Sequence, residues 1–203
     1  MRNLFERTAD VGFLATDDVV RDFCTLAPEA RAAAHEAMVA RLAEYQAKYT
    51  VYDDIVLMAP TGEVLARLDG TATLAHSTEP LVAQALAAPA FVERYGSTDL
   101  QPGGEAALLY AHRILGRHGA VLGVLVLRFR FADEMQQIFA SMVDHCQEVA
   151  IVLLDDARRV LATNDEAHVP TGARLVPVAP DGVRLTTFAG REHLAVKRQD
   201  VVS

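Results

Sequence analysis

The feature that most constrains this chain is a stretch that occurs twice. Residues Ile55–Asp69, IVLMAPTGEVLARLD, return 96 residues later as Ile151–Asp165, IVLLDDARRVLATND. Ile, Val and Leu, then Val, Leu and Ala, then the final Asp recur at equal offsets. Each copy reads as a strand, a short polar break and a second strand. The branched residues suit a pleated face, and in the first copy Pro60 and Gly62 turn the chain. Self-similarity at this spacing predicts two small modules in series.

The flanking segments fill in an α+β chain. Residues 2–15 have helical composition, and Thr16–Asp17–Asp18 supplies capping side chains for a further helix. Pro28 restarts or kinks the helix, because its ring lacks an N–H and crowds the preceding turn. The Ala-rich run after it carries Met38, Leu42, Tyr45 and Tyr49 at helical spacing. The first fifty residues therefore form a long helical arm. Its apolar side needs cover, either from its own modules or from the arm of a second subunit. After the first hairpin come a loop at Gly70–Thr78, a short helix at Leu81–Ala87 and an irregular polar loop at Ala90–Gly104. Glu105–Leu115 and Ala120–Phe131 then read as a long antiparallel hairpin. Asp133 is placed to cap a connector helix over Glu134–Asp144. The second module is smaller, with the repeated hairpin at Val149–Thr163, a Pro-rich middle at Asn164–Pro180, and a last hairpin, Val183–Phe188 with Glu192–Lys197, around Ala189–Gly190. The expected boundaries are an arm over 1–52, a first module over 53–131, a connector over 132–147 and a second module over 148–203.

Composition narrows the function. A formal net charge of −8 argues against a nucleic-acid partner, which needs Lys and Arg to neutralise phosphates. No run is long and apolar enough to span a bilayer. Cys24 and Cys146 are too few for a disulfide framework; they read as two free thiols in helices, with one bridge between them as the alternative. The seven histidines make no zinc-type spacing, and no phosphate loop, dinucleotide fingerprint or nucleophile elbow is present. These readings give no metal, no cofactor and no enzyme.

The helical arm, the paired hairpins at Ile55–Asp69 and Ile151–Asp165, and the strands Leu108–Leu115 and Val121–Phe131 resemble the double Cache domain. These are tandem PAS-like sensor modules with antiparallel sheets, found in bacterial chemoreceptors and signalling proteins. The resemblance implies a small polar or anionic ligand in the first module, and a conformational change passed to an output domain outside this chain. It places the ligand between Ala90–Pro102 and the Tyr110 strand. There Arg94 offers a fork for an acid group, while Tyr95, Ser97 and Asp99 lie beside it and Gly96 lets backbone come close. Tyr110 and His112 share one strand face and would line the same space, with Arg113 on the other. Members that bind amino acids carry a Trp-containing cluster and an acidic closing strand; this chain has no Trp, and Val121–Leu127 is wholly apolar. Arg128 and Arg130 read as a solvent face or as partners for acids on the arm. Arg191 and His193 read as surface. The rival reading is a structural module that forms a homodimer through the Ala-rich arm and its Tyr45/Tyr49 end. The absence of a leader implies a cytoplasmic variant, or an excised extracytoplasmic sensor domain.

Overall fold

The computed structural model describes residues 11–101, 103, 106–142, 149–155 and 157–175, with the backbone alone of 183–188 and 191–196. Cys146, His145, residues 2–10 of the arm, the 189–190 turn and Pro177 and Pro180 lie outside the described residues. The side chains of Arg191 and His193 lie outside them too. The chain divides into two compact units, Met1–Phe131 and Ala132–Ser203.

In the first unit residues 11–15 are helical, followed by α1 (Asp18–Thr25) and α2 (Pro28–Lys48). Asp17 caps α1 by accepting the Val19 N–H at 2.8 Å. Pro28 opens α2 at its first turn, where its missing N–H has no partner to lose. The sheet has five antiparallel strands in the order β2-β1-β5-β4-β3. These are β1 (Tyr52–Met58), β2 (Val64–Arg67), β3 (Val92–Ser97), β4 (Ala106–Leu115) and β5 (Val121–Phe129). The helix α3 (Pro80–Ala87) follows β2.

Period-two alternation sorts the side chains onto two faces. Ile55, Leu57, Leu108, Tyr110, Ile114, Leu125, Leu127 and Phe129 pack with Val20, Phe23, Met38, Leu42 and Tyr45 of the helical arm. Val56, Met58, Leu109, Ala111, Val124 and Val126 pack with Leu81, Val82 and Ala85 of α3 and with Leu100. The stripe Met38, Leu42 and Tyr45 is thus spent on the chain's own sheet. At Gly123 a Cβ would run into the carbonyl of Met58, so only glycine admits this approach of β1 to β5.

Three expectations change. The segment 90–104 is not uniformly irregular, because 92–97 pairs along β4 as the outer strand β3. Arg128 is buried, and its partners lie on β1 and just after β2 rather than on the arm or in solvent. The helix α4 (Phe131–Met142) begins before Asp133, which sits in its first turn rather than capping it.

The second unit contains α4 beyond its first residue and two hairpins, β6 (Val152–Leu154) with β7 (Val160–Thr163), and β8 (Val183–Phe188) with β9 (Arg191–Val196). Gln136 of α4 donates to the Thr163 carbonyl at 2.8 Å. The two hairpins are separate two-stranded sheets among the described residues. The sequence repeat is a repeat of geometry at the first hairpin of each unit. Val56 pairs with Arg67 and Met58 with Val64; at the same offsets Val152 pairs with Thr163 and Leu154 with Val160. Both pairs are irregular at one equivalent step, Leu57/Met58 and Leu153/Leu154. The Gly62 N–H reaches the Ala59 carbonyl, and the Arg158 N–H reaches that of Asp155, each at 2.9 Å. Gly62 has φ +93° and Arg158, its counterpart, has φ +64°.

A left-handed backbone suits glycine and costs other residues roughly 1–2 kcal/mol. At Gly62 a Cβ would also lie 2.5 Å from the Ser77 carbonyl oxygen. Gly62→Ala is expected to cost about 2 kcal/mol or more by chemical denaturation. Arg158→Gly is expected to stabilise its hairpin by up to about 1 kcal/mol, read as slower amide exchange in β6 and β7.

Candidate functional site

The six side chains singled out in the sequence do not share one surface. Arg94 points to the α3 side of the sheet, where its Nη1 donates to Glu79 Oε1 at 2.7 Å and to the Ser97 carbonyl at 3.2 Å. Glu79 caps α3, and its carboxylate is nearly buried. Asp99 binds the same entry segment: Oδ1 accepts from Ser77 Oγ at 2.7 Å, and Oδ2 accepts from the Thr78 N–H at 2.7 Å and Thr78 Oγ1 at 3.1 Å. Arg94 and Asp99 therefore clamp Ser77–Glu79, and Ser97 is exposed.

Tyr95, Tyr110 and His112 lie on the opposite, arm-facing side. The Tyr95 ring packs on Phe131 at 4.9 Å between centroids, and burial pushes its phenol pKa up. Tyr110 is fully buried between Phe91 and Phe129, with centroids 6.4 Å away in both cases. The half-buried His112 places Nδ1 2.7 Å from the Arg113 carbonyl.

A cleft of about 540 Å³ opens at the β2 edge of the sheet. Its walls are residues 71–76 on one side and Asp99, Gln101 and Gly103 on the other, with Arg67 also lining it. Asp99 is the clasp between the walls, since it holds the Ser77–Thr78 end of the first from its own place in the second. A bridge between Glu63 and His76 and the bond from the Val64 N–H to the Ala75 carbonyl lay the first wall along β2.

Next to the cleft lies an ionic hub. Arg67 Nε donates to Asp54 Oδ2 at 2.6 Å, and Arg128 Nε donates to Asp53 Oδ1 at 2.7 Å. Arg128 Nη1 is 3.6 Å from Asp54 Oδ2, and its Nη2 is 3.8 Å from Asp69 Oδ2. Both guanidiniums converge on the Leu100 carbonyl, Arg128 Nη1 at 3.0 Å and Arg67 through Nη2. Asp54 Oδ1 accepts the N–H groups of Ile55 and Asp69 at 2.9 and 3.0 Å. The hub thus fastens the cleft wall at Leu100 to β1, β2 and β5. Burial pushes the Asp54 carboxyl above its ordinary value against the pull of Arg67 and Arg128. Hydrogen bonds from Thr71, with Arg67 and Arg128 nearby, hold Asp69 below its own. The signal for this hub was present as charges inside apolar runs, Asp53–Asp54 before Ile55, Arg67 before Leu68 and Arg128 after Leu127. Among the described residues no cluster of three or more His, Cys, Asp or Glu is arranged to hold a metal ion, and no helix is long and apolar enough to cross a membrane.

Arg67→Met would leave the Asp54 carboxylate buried with less compensation, a loss of about 3–5 kcal/mol. Asp54 binds its proton more tightly folded than unfolded. Its contribution to stability is therefore full below pH 3.8 and is lost as pH rises through its higher folded value. The penalty of Arg67→Met is expected to shrink as pH falls through that value, read as converging denaturation midpoints of variant and wild type.

No protein-family model and no curated protein sequence matches the chain. Solved structures do. The sensor domain of the Vibrio cholerae histidine kinase DctB is similar with a TM-score of 0.65 and 14% identity, over 88% of this chain and 66% of that one. The ligand-binding domain of the Pseudomonas aeruginosa amino-acid chemoreceptor PctC, solved with GABA, is similar with a TM-score of 0.55 and 21% identity, over 93% and 81%. The ligand-binding domain of the Campylobacter jejuni chemoreceptor Tlp3, solved with 4-methylisoleucine, gives 0.52 and 14%, over 79% and 62%. The chain thus spans slightly under two thirds of the DctB and Tlp3 domains. Its helical arm, five-stranded antiparallel sheet and covering helix are the Cache-type fold of the sensor domains of chemoreceptors and histidine kinases.

Proposed function

We propose that this chain is a small-molecule sensing domain of a signal-transduction protein, binding a small polar or anionic solute in its first unit. The observation that carries the reading is the cleft between residues 71–76 and Asp99, Gln101 and Gly103, joined to the sheet through the Leu100 carbonyl. A solute between those walls bears on Asp99, which clasps them, and on Arg67, which holds β1 and β2. The face of β1 and β5 opposite the hub packs on the arm, so a shift in the hub reaches α2 through the sheet. A solute transmits only through different affinities for two arrangements, and the clasp provides a bond that can differ between them. The solutes in the PctC and Tlp3 structures, GABA and 4-methylisoleucine, are small molecules, which supports the same size class here. The repeated hairpin supports two tandem modules of one ancestry, with the output domain outside this chain.

The second reading is a dimerisation module. It would have to use another face than the stripe of Met38, Leu42 and Tyr45, and among the described residues of the arm Phe13, 67% exposed, and Val19, 52% exposed, are the large apolar side chains available.

Thermal-shift screening against organic acids, amines and purines separates the two. Sensing predicts a saturable rise of several degrees, since ligand at 100 times its Kd adds about 2.7 kcal/mol. A folded sample that answers to none of them at millimolar concentration, and that loses its dimer with Phe13→Asp, supports the dimerisation module instead.

A further inference from the structure

We infer that the cleft takes a short extended peptide free of acidic residues, added as a strand along residues 74–76; the inference rests on the sensing reading above and names the class of its solute. The pairing of the first wall with β2 sets which way its backbone faces. Glu63 and His76 form an antiparallel bridge, flanked by bonds from the Val64 N–H to the Ala75 carbonyl and from the Ser77 N–H to the Gly62 carbonyl, each 2.9 Å. The bonds to β2 belong to Ala75 and Ser77, so the N–H and C=O of His76 between them face away from β2. Thr78, two residues on, shows what lies in that direction: its N–H crosses to Asp99 Oδ2 on the opposite wall at 2.7 Å. Leu74, two residues back, lines the cleft as His76 does. Among the described residues nothing bonds the N–H or the carbonyl of either Leu74 or His76. Such a row is the open edge of a sheet, and a peptide answers it because each of its residues brings a donor and an acceptor together.

Three features select the occupant. Sheet edges are ordinarily guarded by charged residues or proline. The outer strand β3 follows that rule with Glu93 and Arg94, whereas residues 71–78, TATLAHST, carry no Lys, Arg, Asp, Glu or Pro. The unguarded edge is the one that borders the cleft. Its length is limited, because Asp99 clasps Ser77 and Thr78 and so closes one end of the row. The space left, about 540 Å³, is that of a small-molecule site and admits a few residues rather than a long segment. Charge sets the side chains. Asp53, Asp54, Asp69 and Asp99 outnumber Arg67 and Arg128 in the cleft and hub, so an acidic residue is repelled and a lysine is favoured.

The test titrates the full chain, by calorimetry and thermal shift, with the tetrapeptide Ala-Lys-Ala-Ala blocked at both ends, so that no free amine or acid remains on its backbone. Beside it run the blocked glutamate counterpart, Ala-Glu-Ala-Ala, and two forms of the lysine peptide N-methylated at alternate amides, one for each register. The lysine peptide is expected to bind saturably, the glutamate peptide at least ten-fold more weakly. Methylation removes donors and leaves the side chains, and is expected to weaken binding at least ten-fold in one register or the other. His76→Pro deletes an outward N–H and no bond to β2, and should weaken the lysine peptide as much in a sample that circular dichroism shows folded. If that variant does not fold, the methylated peptides decide on the wild type. Binding undiminished in both methylated forms, or equal for the glutamate peptide, overturns the inference. Free alanine, lysine or succinate binding while every peptide is silent overturns it and leaves the sensing reading standing. Silence from every probe overturns both.

Discussion

A carboxylate with no access to water organises the first unit. Asp54 is wholly buried, and isolated burial of such a charge costs several kcal/mol. The compensation comes from three directions at once: the guanidinium of Arg67 on β2, that of Arg128 on β5, and the N–H groups of Ile55 and Asp69. Those groups meet only if β1 lies between β2 and β5 in one register. A one-residue slip would carry either arginine to the other face of the sheet. The net stabilisation from such a cluster is small. Its effect is to penalise every alternative pairing.

The same cluster explains why the site lies at the β2 edge. Under α3 the sheet face is closed by Val56, Met58, Leu109, Ala111, Val124 and Val126. Past Leu100 the chain is held by its carbonyl on two arginines, and Asp99 beside it reaches across to Ser77 and Thr78. Cleft and core therefore share atoms.

Much of this was legible in the residues and some was not, for identifiable reasons. The duplicated hairpin could be read because β-branched runs and equal offsets survive in both copies, down to the step at which pairing is irregular. The break at Pro28 and the α3 helix followed from local chemistry. β3 escaped because Glu93, Arg94, Gly96 and Ser97 dilute the alternation that marks a strand. Periodicity correctly put Tyr110 and His112 on one face, but it carries no information about what that face meets, and it meets the arm. The hub escaped for a related reason. Alternating charge and hydrocarbon at Leu127, Arg128, Phe129 and Arg130 looks like a wet surface unless the acids that answer Arg128, two of them 75 residues or so earlier, are known to be adjacent.

The outer position of β3 has a consequence for how such molecules coexist. A rim strand exposes backbone groups on which another copy could zip. Here that rim carries an acid at Glu93 and a kink at Gly96, whose φ of +154° departs from ordinary extended backbone, and Arg94 is drawn inward to Glu79. The charged border disfavours the addition of a second copy's strand along β3.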